Sequence, residues 1–388
     1  MLEGMSLVSI PPLSDLRRRT SSKWRTYPED VLPMFVAELD VRLAQPIRDA
    51  LVTAVEDGDT GYTGPRRELQ TAFADFAGRR WGWEVDEKRV ICTTDVSVVI
   101  VEALRQLIRP GDGVIVMPPI YPPFYDLPPE AGGVTVPVPL VDDGTAWRMD
   151  LDGIDRAMAA GARAVLLCSP HNPLGRVFSH AELEALSDVV MRHDGVVISD
   201  EVHAPMTHGD ATFVPYLTVS DAARRHGVAA HSASKSWNVA GLKCAQFVTA
   251  SDRMSDALRT LPDEVRFRTS IFGRIAGVAA YTETDAWLDD LVELLESNRR
   301  LLGTLLAERL PGVRYREPTA GYLAWLDLGA LGWGEEPSRT ALSKARVALN
   351  PGTTFGPQGA GHVRLNFGCA PETLTEAIDR LARAAAER

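Results

Sequence analysis

Through the middle of the chain, short runs of aliphatic and β-branched residues alternate with stretches whose apolar positions recur every three or four residues. RVICTT at 89–94 reads as a strand, and SVVIVEALRQLIRPGD at 97–112 has helical spacing closed by a Pro-Gly stop. GVIVMP, ARAVLLCSP, GVVISDE, VAAHSAS and AQFVTAS, beginning at residues 113, 162, 195, 228 and 245, predict further strands, and ELEALSDVVMRH from residue 182 predicts a helix. Short apolar strands interleaved with helices predict an α/β fold with a large, mostly parallel sheet covered on both faces, over residues 46–280. Beyond residue 280 the texture changes. DAWLDDLVELLESNRRLLGTLLAERL carries Trp287, Leu291, Leu294, Leu295, Leu302 and Leu305 on one stripe and stops at Pro311-Gly312. Two strand candidates, GYLAWLDL and HVRLNFG, and a closing helix, TLTEAIDRLARAAAE, then predict a smaller α+β domain over 281–388, joined by an N-terminal arm over 1–45.

Length and charge narrow the function. A chain of 388 residues exceeds what one core usually supports, which agrees with two lobes sharing an interface. A formal net charge of -11 excludes a surface built for nucleic acid, since a phosphate backbone needs clustered cations. The run Arg17, Arg18, Arg19 is too short to change that and reads as a solvated arm. No stretch of eighteen apolar residues predicts a membrane span, and the first residues lack the pattern of a leader, so the expected location is the cytoplasm. Cys92, Cys168, Cys244 and Cys369 have no C-x-x-C spacing, which predicts buried free thiols and no metal site. His193 and His226 fall at predicted helix ends, where a local charge contact suffices, and the histidines other than these and His203 read as solvated.

Chemistry is expected beyond the carboxyl ends of parallel strands. Three predicted strand ends deliver unusual polar residues there: Asn172 after LLCSP, Asp200 with His203 in ISDEVH, and Ser232, Ser234 and Lys235 in HSASKS. An amide, a carboxylate with a histidine, and an amine suit an aromatic aldehyde cofactor with a basic ring nitrogen, a phenolic oxygen and a phosphate. Lys235 would bond the aldehyde. Asp200 would keep the ring nitrogen protonated, and Asn172 with His203 would face the phenolic oxygen. The helix opening in TTDVSVV offers the amides of Val96 and Ser97 to an anion, with Ser232 and Lys243 completing the cradle. Tyr121 in PPIYPPFYD offers a stacking face.

Taken together, Asn172, Asp200 and the element S-x-x-K-x-x-x-x-x-G-x-K, from Ser232 to Lys243, resemble the fold-type I pyridoxal-phosphate enzymes of the aminotransferase class I and II superfamily. RRTSSKWR, VLPMFVAELD with Asp40, GYTG, PPIYPPFY, DEVH and AGYLAWLDL are similar to the cystathionine β-lyase group of the MalY and PatB type, and the likeness runs over about residues 19–385. It implies pyridoxal 5'-phosphate as cofactor, Lys235 as the Schiff-base lysine, Asp200 as partner of the ring nitrogen, and Tyr121 as the stacking ring. It further implies that Arg364 grips the substrate carboxylate and that Tyr62 reaches the cofactor of a neighbouring subunit, hence a homodimer. The implied reaction is β-elimination from a cysteine S-conjugate or a cystathionine-like amino acid, releasing a thiol, pyruvate and ammonia. An aminotransferase, or a decarboxylating or deaminating enzyme, would use the same residues. Three departures stand out: no glycine in TTDVSVV, Pro205 where relatives carry an acid, and VAELD for VADMD.

Overall fold

The computed structural model describes residues 6–387, so the part of the leader expectation that falls on residues 1–5 lies outside the described ones. Helices α1 (Gln45–Glu56) and α2 (Glu68–Trp81) precede strand β1 (Val90–Thr93) and helix α3 (Val96–Leu107). There follow β2 (Gly113–Val116), β3 (Val134–Pro137), β4 (Ala162–Cys168), α4 (His180–Arg192), β5 (Val196–Asp200), β6 (Gly227–His231) and β7 (Ala245–Thr249). These strands form one seven-stranded sheet in the order β1-β7-β6-β5-β4-β2-β3. All neighbours run parallel except β7, which is antiparallel to both β1 and β6.

Every strand read from the sequence is present. β3 was not read, because VTVP lies at the sheet edge with its positions exposed or half-buried and so lacks an apolar signature. β2, β5, β6 and β7 are buried at every position, as expected of strands covered on both faces. Ser179 closes a reciprocal capping box with Glu182 at the start of α4, fixing where that helix begins.

The C-terminal part opens with α5 (Ile271–Glu283) and the 25-residue α6 (Asp285–Arg309). The stripe expected on α6 faces inward, with Trp287, Leu291, Leu295, Leu302 and Leu305 buried and Leu294 half-buried. Strands β8 (Arg314–Tyr315), β9 (Leu323–Asp327), β10 (Asn350–Pro351) and β11 (His362–Asn366) form an antiparallel sheet in the order β8-β9-β11-β10, and α7 (Pro371–Ala386) closes the chain. Among the described residues no helix is long and apolar enough to cross a membrane.

An extended segment over residues 34–41 ties the two sheets together. Asn366 donates to the carbonyls of Val36 (2.6 Å) and Glu38 (2.7 Å), and Tyr322 Oη donates to that of Ala37 (2.9 Å). From the other side Asn238 accepts from the Leu39 amide and donates to its carbonyl, both at 2.9 Å, as a neighbouring strand would. Asn238 does so from a left-handed backbone (φ 57), which asparagine tolerates better than most residues. Lys23 and Asp40, 1% and 2% exposed, form a buried ion pair at 2.7 Å that anchors the segment's end.

The expectation for the histidines needs correcting. His171, His208, His226 and His231 are all buried; His226 bonds Tyr216 Oη at 2.8 Å, and His231 packs among Phe73, Trp81 and Trp83. His171 and His208 lie on loops, His226 ends a helix and His231 ends β6, and all four stretches run through the interior. All four cysteines are free, with Cys92, Cys168 and Cys369 buried.

Candidate active site

β4, β5 and β6 are adjacent and parallel, with Cys168 opposite Asp200 and Asp200 opposite Ala230, so their carboxyl ends open at one edge. A cavity of about 540 Å³ lies there, within the usual range for a small-molecule site. Its walls include Val96, Ser97, Tyr121, Asn172, Asp200, His203, Ser232, Lys235, Lys243 and Arg364, so ten expected residues from separate parts of the chain meet in one place. A larger groove of about 780 Å³, bordered by Arg66, Arg89, Arg266 and Arg274, contains none of them.

Charge is concentrated where water is scarce. Burial pushes the Asp200 carboxyl up to about 7, against one hydrogen bond from the Val202 amide (3.1 Å) and the attraction of Lys235, with Glu201 pushing the same way as burial. Burial also lowers the basicity of Lys235, reinforced by Arg364 and opposed by Asp200 and Glu38. His203 is driven down to about 3, first by burial and then by Lys235 and Arg364, so its imidazole is neutral at physiological pH. A buried carboxylate held this poorly suits a further cation beside it, which a protonated ring nitrogen would be.

Arg364, on β11, is 4% exposed and lies over the Phe355 ring at 5.1 Å. Its Nη1 donates to Asn172 Oδ1 (3.0 Å), and its Nη2 donates to the Phe35 carbonyl (2.9 Å) and Asn350 Oδ1 (2.7 Å). Among the described residues its buried Nε has no partner, a donor still available to a carboxylate. Because Asn172 spends its oxygen on the arginine, its NH₂ remains to donate to a phenolic oxygen. Tyr121 is fixed by its amide, which donates to the Asn172 carbonyl at 3.1 Å, and burial raises its phenol's pKa.

At the opposite end, Val96 and Ser97 open α3, so their amides have no helical acceptor. Asp95 caps the helix by accepting from the Val98 amide at 3.1 Å, and it approaches Lys243 Nζ to 3.3 Å. Ser232 lines the wall, and its hydroxyl donates to the Cys244 carbonyl (2.6 Å) and accepts from the Ser234 amide (3.0 Å), so its one proton here braces the loop. Ser234 lines the same wall.

Tyr62 stands apart. It is 98% exposed and borders a separate cavity of about 510 Å³ with Arg66, Ile271 and Arg274. Sequence reasoning passed over Asp95, Asn350, Phe35, Val36 and Ala37, all of which line the cavity. Asp95 was detectable as an N-cap before an apolar helical run; Asn350 and the Phe35 carbonyl carry no local signal.

A family model described as aminotransferase class I and II matches residues 38–381. A Mycobacterium leprae (strain TN) protein named "Putative cystathionine beta-lyase" is 42% identical over 394 residues, covering 96% of each chain. The cystathionine beta-lyase of Corynebacterium glutamicum is 36% identical over 372 residues, covering 96% of this chain and 98% of its own. A crystal structure from Corynebacterium diphtheriae, described as a "putative plp-dependent beta-cystathionase", matches with a TM-score of 0.93 at 34% identity over 99% of both chains.

Proposed function

The chain belongs to the aminotransferase class I and II family, and from that premise we propose that it is a pyridoxal-phosphate-dependent carbon–sulfur β-lyase. Its substrate would be a cysteine S-conjugate or cystathionine-like amino acid, which with one water yields a thiol, pyruvate and ammonia. The names of the relatives at 36% and 42% identity support the reaction class. The observation that carries the reading is half-buried Lys235 with buried Asp200 and Arg364 on one cavity, Arg364 Nε being unpaired among the described residues.

When bound, pyridoxal phosphate would supply an aldehyde able to bond an amine such as that of Lys235 and a ring able to accept an electron pair from the α-carbon. Arg364 binds the substrate carboxylate, its guanidinium held in plane by Asn172, Asn350 and the Phe35 carbonyl. Lys235, less basic than an exposed lysine, reaches its neutral form more readily and removes the α-proton. Asp200 would hold a proton on the ring nitrogen. Asn172 and neutral His203 would face the phenolic oxygen, while Tyr121 would cover one ring face. The amides of Val96 and Ser97 and the ammonium of Lys243 would hold the phosphate. A thiol of pKa about 8.5 departs from the β-carbon as thiolate without an acid to assist it, which favours sulfur over oxygen as leaving atom.

The proposed assembly is a homodimer. Tyr62 supports it, standing clear of its own chain on a loop whose Gly64 carbonyl accepts from Arg274 at 3.0 Å. Incubation with an S-alkyl cysteine tests the reaction: equimolar thiol and pyruvate without any added keto acid supports elimination. Product formation that depends on a keto acid acceptor would instead make the chain an aminotransferase.

A further inference from the structure

Among the charged residues that line the cavity, Asp95 is the one this chemistry leaves without a use. It stands one residue before the amides expected to hold the phosphate, at a helix start that favours anionic ligands, and it brings a carboxylate of its own to that place. Its Oδ1 accepts from the Val98 amide at 3.1 Å and its Oδ2 lies 3.3 Å from Lys243 Nζ, so both oxygens are committed. Asp95, Val96, Ser97 and Lys243 border the same cavity. The one ammonium at this end is therefore shared between a carboxylate of the chain and whatever anion the cavity takes.

We propose that Asp95 is a brake on cofactor affinity: its charge weakens binding of the cofactor's phosphate by repulsion and by claiming Lys243. The inference rests on the pyridoxal-phosphate reading above. The opposing effect, that Asp95 helps by holding Lys243 in place, is the smaller one. The pair is 38% and 59% exposed, and an exposed pair of flexible side chains orients its members only weakly. Against a phosphate bearing more than one negative charge, repulsion acts on the full ligand charge. Capping does not explain the choice of residue either, because asparagine and serine cap about equally well. The consequence is an enzyme whose loading follows cofactor supply more closely than its covalent attachment alone would allow.

The test compares the full chain with Asp95→Asn, both freed of cofactor and titrated with pyridoxal phosphate and, separately, with pyridoxal, reading the visible absorbance of the bound form. Asparagine keeps the capping oxygen and removes the charge; Asp95→Ser does the same should Asp95→Asn fold poorly. Asp95→Asn should bind pyridoxal phosphate about three- to tenfold more tightly, and added salt should narrow that ratio. Pyridoxal, which lacks the phosphate, should bind both chains alike. Equal or weaker pyridoxal-phosphate binding by the variant overturns the brake, as does an equal gain for pyridoxal. Absence of any cofactor signal in the parent chain is a different result: it overturns the proposed function, and the brake with it.

Discussion

Each end of the cavity holds one aspartate and one lysine, and the two pairs differ in everything but residue type. Asp200 and Lys235 sit in the dry part, where burial raises the carboxyl to about 7 and lowers the basicity of the amine. Asp95 and Lys243 meet 3.3 Å apart in partial exposure, where water screens what they do to each other. Burial therefore separates a pair suited to proton transfer from a pair suited to adjusting affinity. The strands bring this about: Asp200 closes a fully buried strand, whereas Asp95 precedes a helix at the cavity mouth.

Variants of the dry pair should have the largest effects. Lys235→Ala should lower thiol release by about 10³-fold or more, since it removes both the attachment point and the base. A loss below about tenfold would mean that another group takes the proton. Asp200→Asn should cost about 10²-fold in kcat, because the ring nitrogen loses the anion that keeps it protonated. The same variant should be more stable than the parent when both are stripped of cofactor. Between the ordinary carboxyl value of 3.8 and about 7, folded Asp200 holds a proton that the unfolded chain has released, so the parent loses stability as pH rises through that window. The advantage of Asp200→Asn should thus grow from pH 4 to pH 7, by on the order of a few kcal/mol, in denaturant titrations. A difference that does not change with pH would place the buried charge elsewhere.

Arg364→Lys should come next, raising KM for the amino acid about 10- to 100-fold with a smaller change in kcat. A point charge cannot hold Asn172, Asn350 and a carboxylate at once. The smallest effect belongs to the wet end. Ser232→Ala should cost about 1 kcal/mol of stability through the lost bond to Cys244, and should change pyridoxal-phosphate affinity by less than about threefold. A much larger loss of affinity would return Ser232 to the phosphate cradle.

The dry end was legible in the sequence because its residues follow apolar strands at short, fixed distances. Asn172 lies four residues past the end of β4, Asp200 is the last residue of β5, and Lys235 lies four residues past the end of β6. A period-two or fully apolar run marks where each strand stops, and parallel pairing places the stops side by side. The wet end was half legible. The start of α3 was visible, but the use of the Ser232 hydroxyl depends on where the Cys244 carbonyl falls, which no spacing announces. The 34–41 segment was hidden for the same reason, since it reaches the cavity through partners hundreds of residues distant in sequence, such as Arg364 Nη2 with the Phe35 carbonyl, while the role of Asn350 depends on its pairing across two strands with Arg364. β3 escaped because an exposed edge strand needs no apolar pattern.

Borohydride reduction of the purified enzyme followed by peptide mass spectrometry tests whether Lys235 carries the cofactor. A single pyridoxyl adduct is expected on the peptide containing Lys235, abolished by Lys235→Ala. An adduct on Lys243 or another lysine, with Lys235 unmodified, would contradict that assignment.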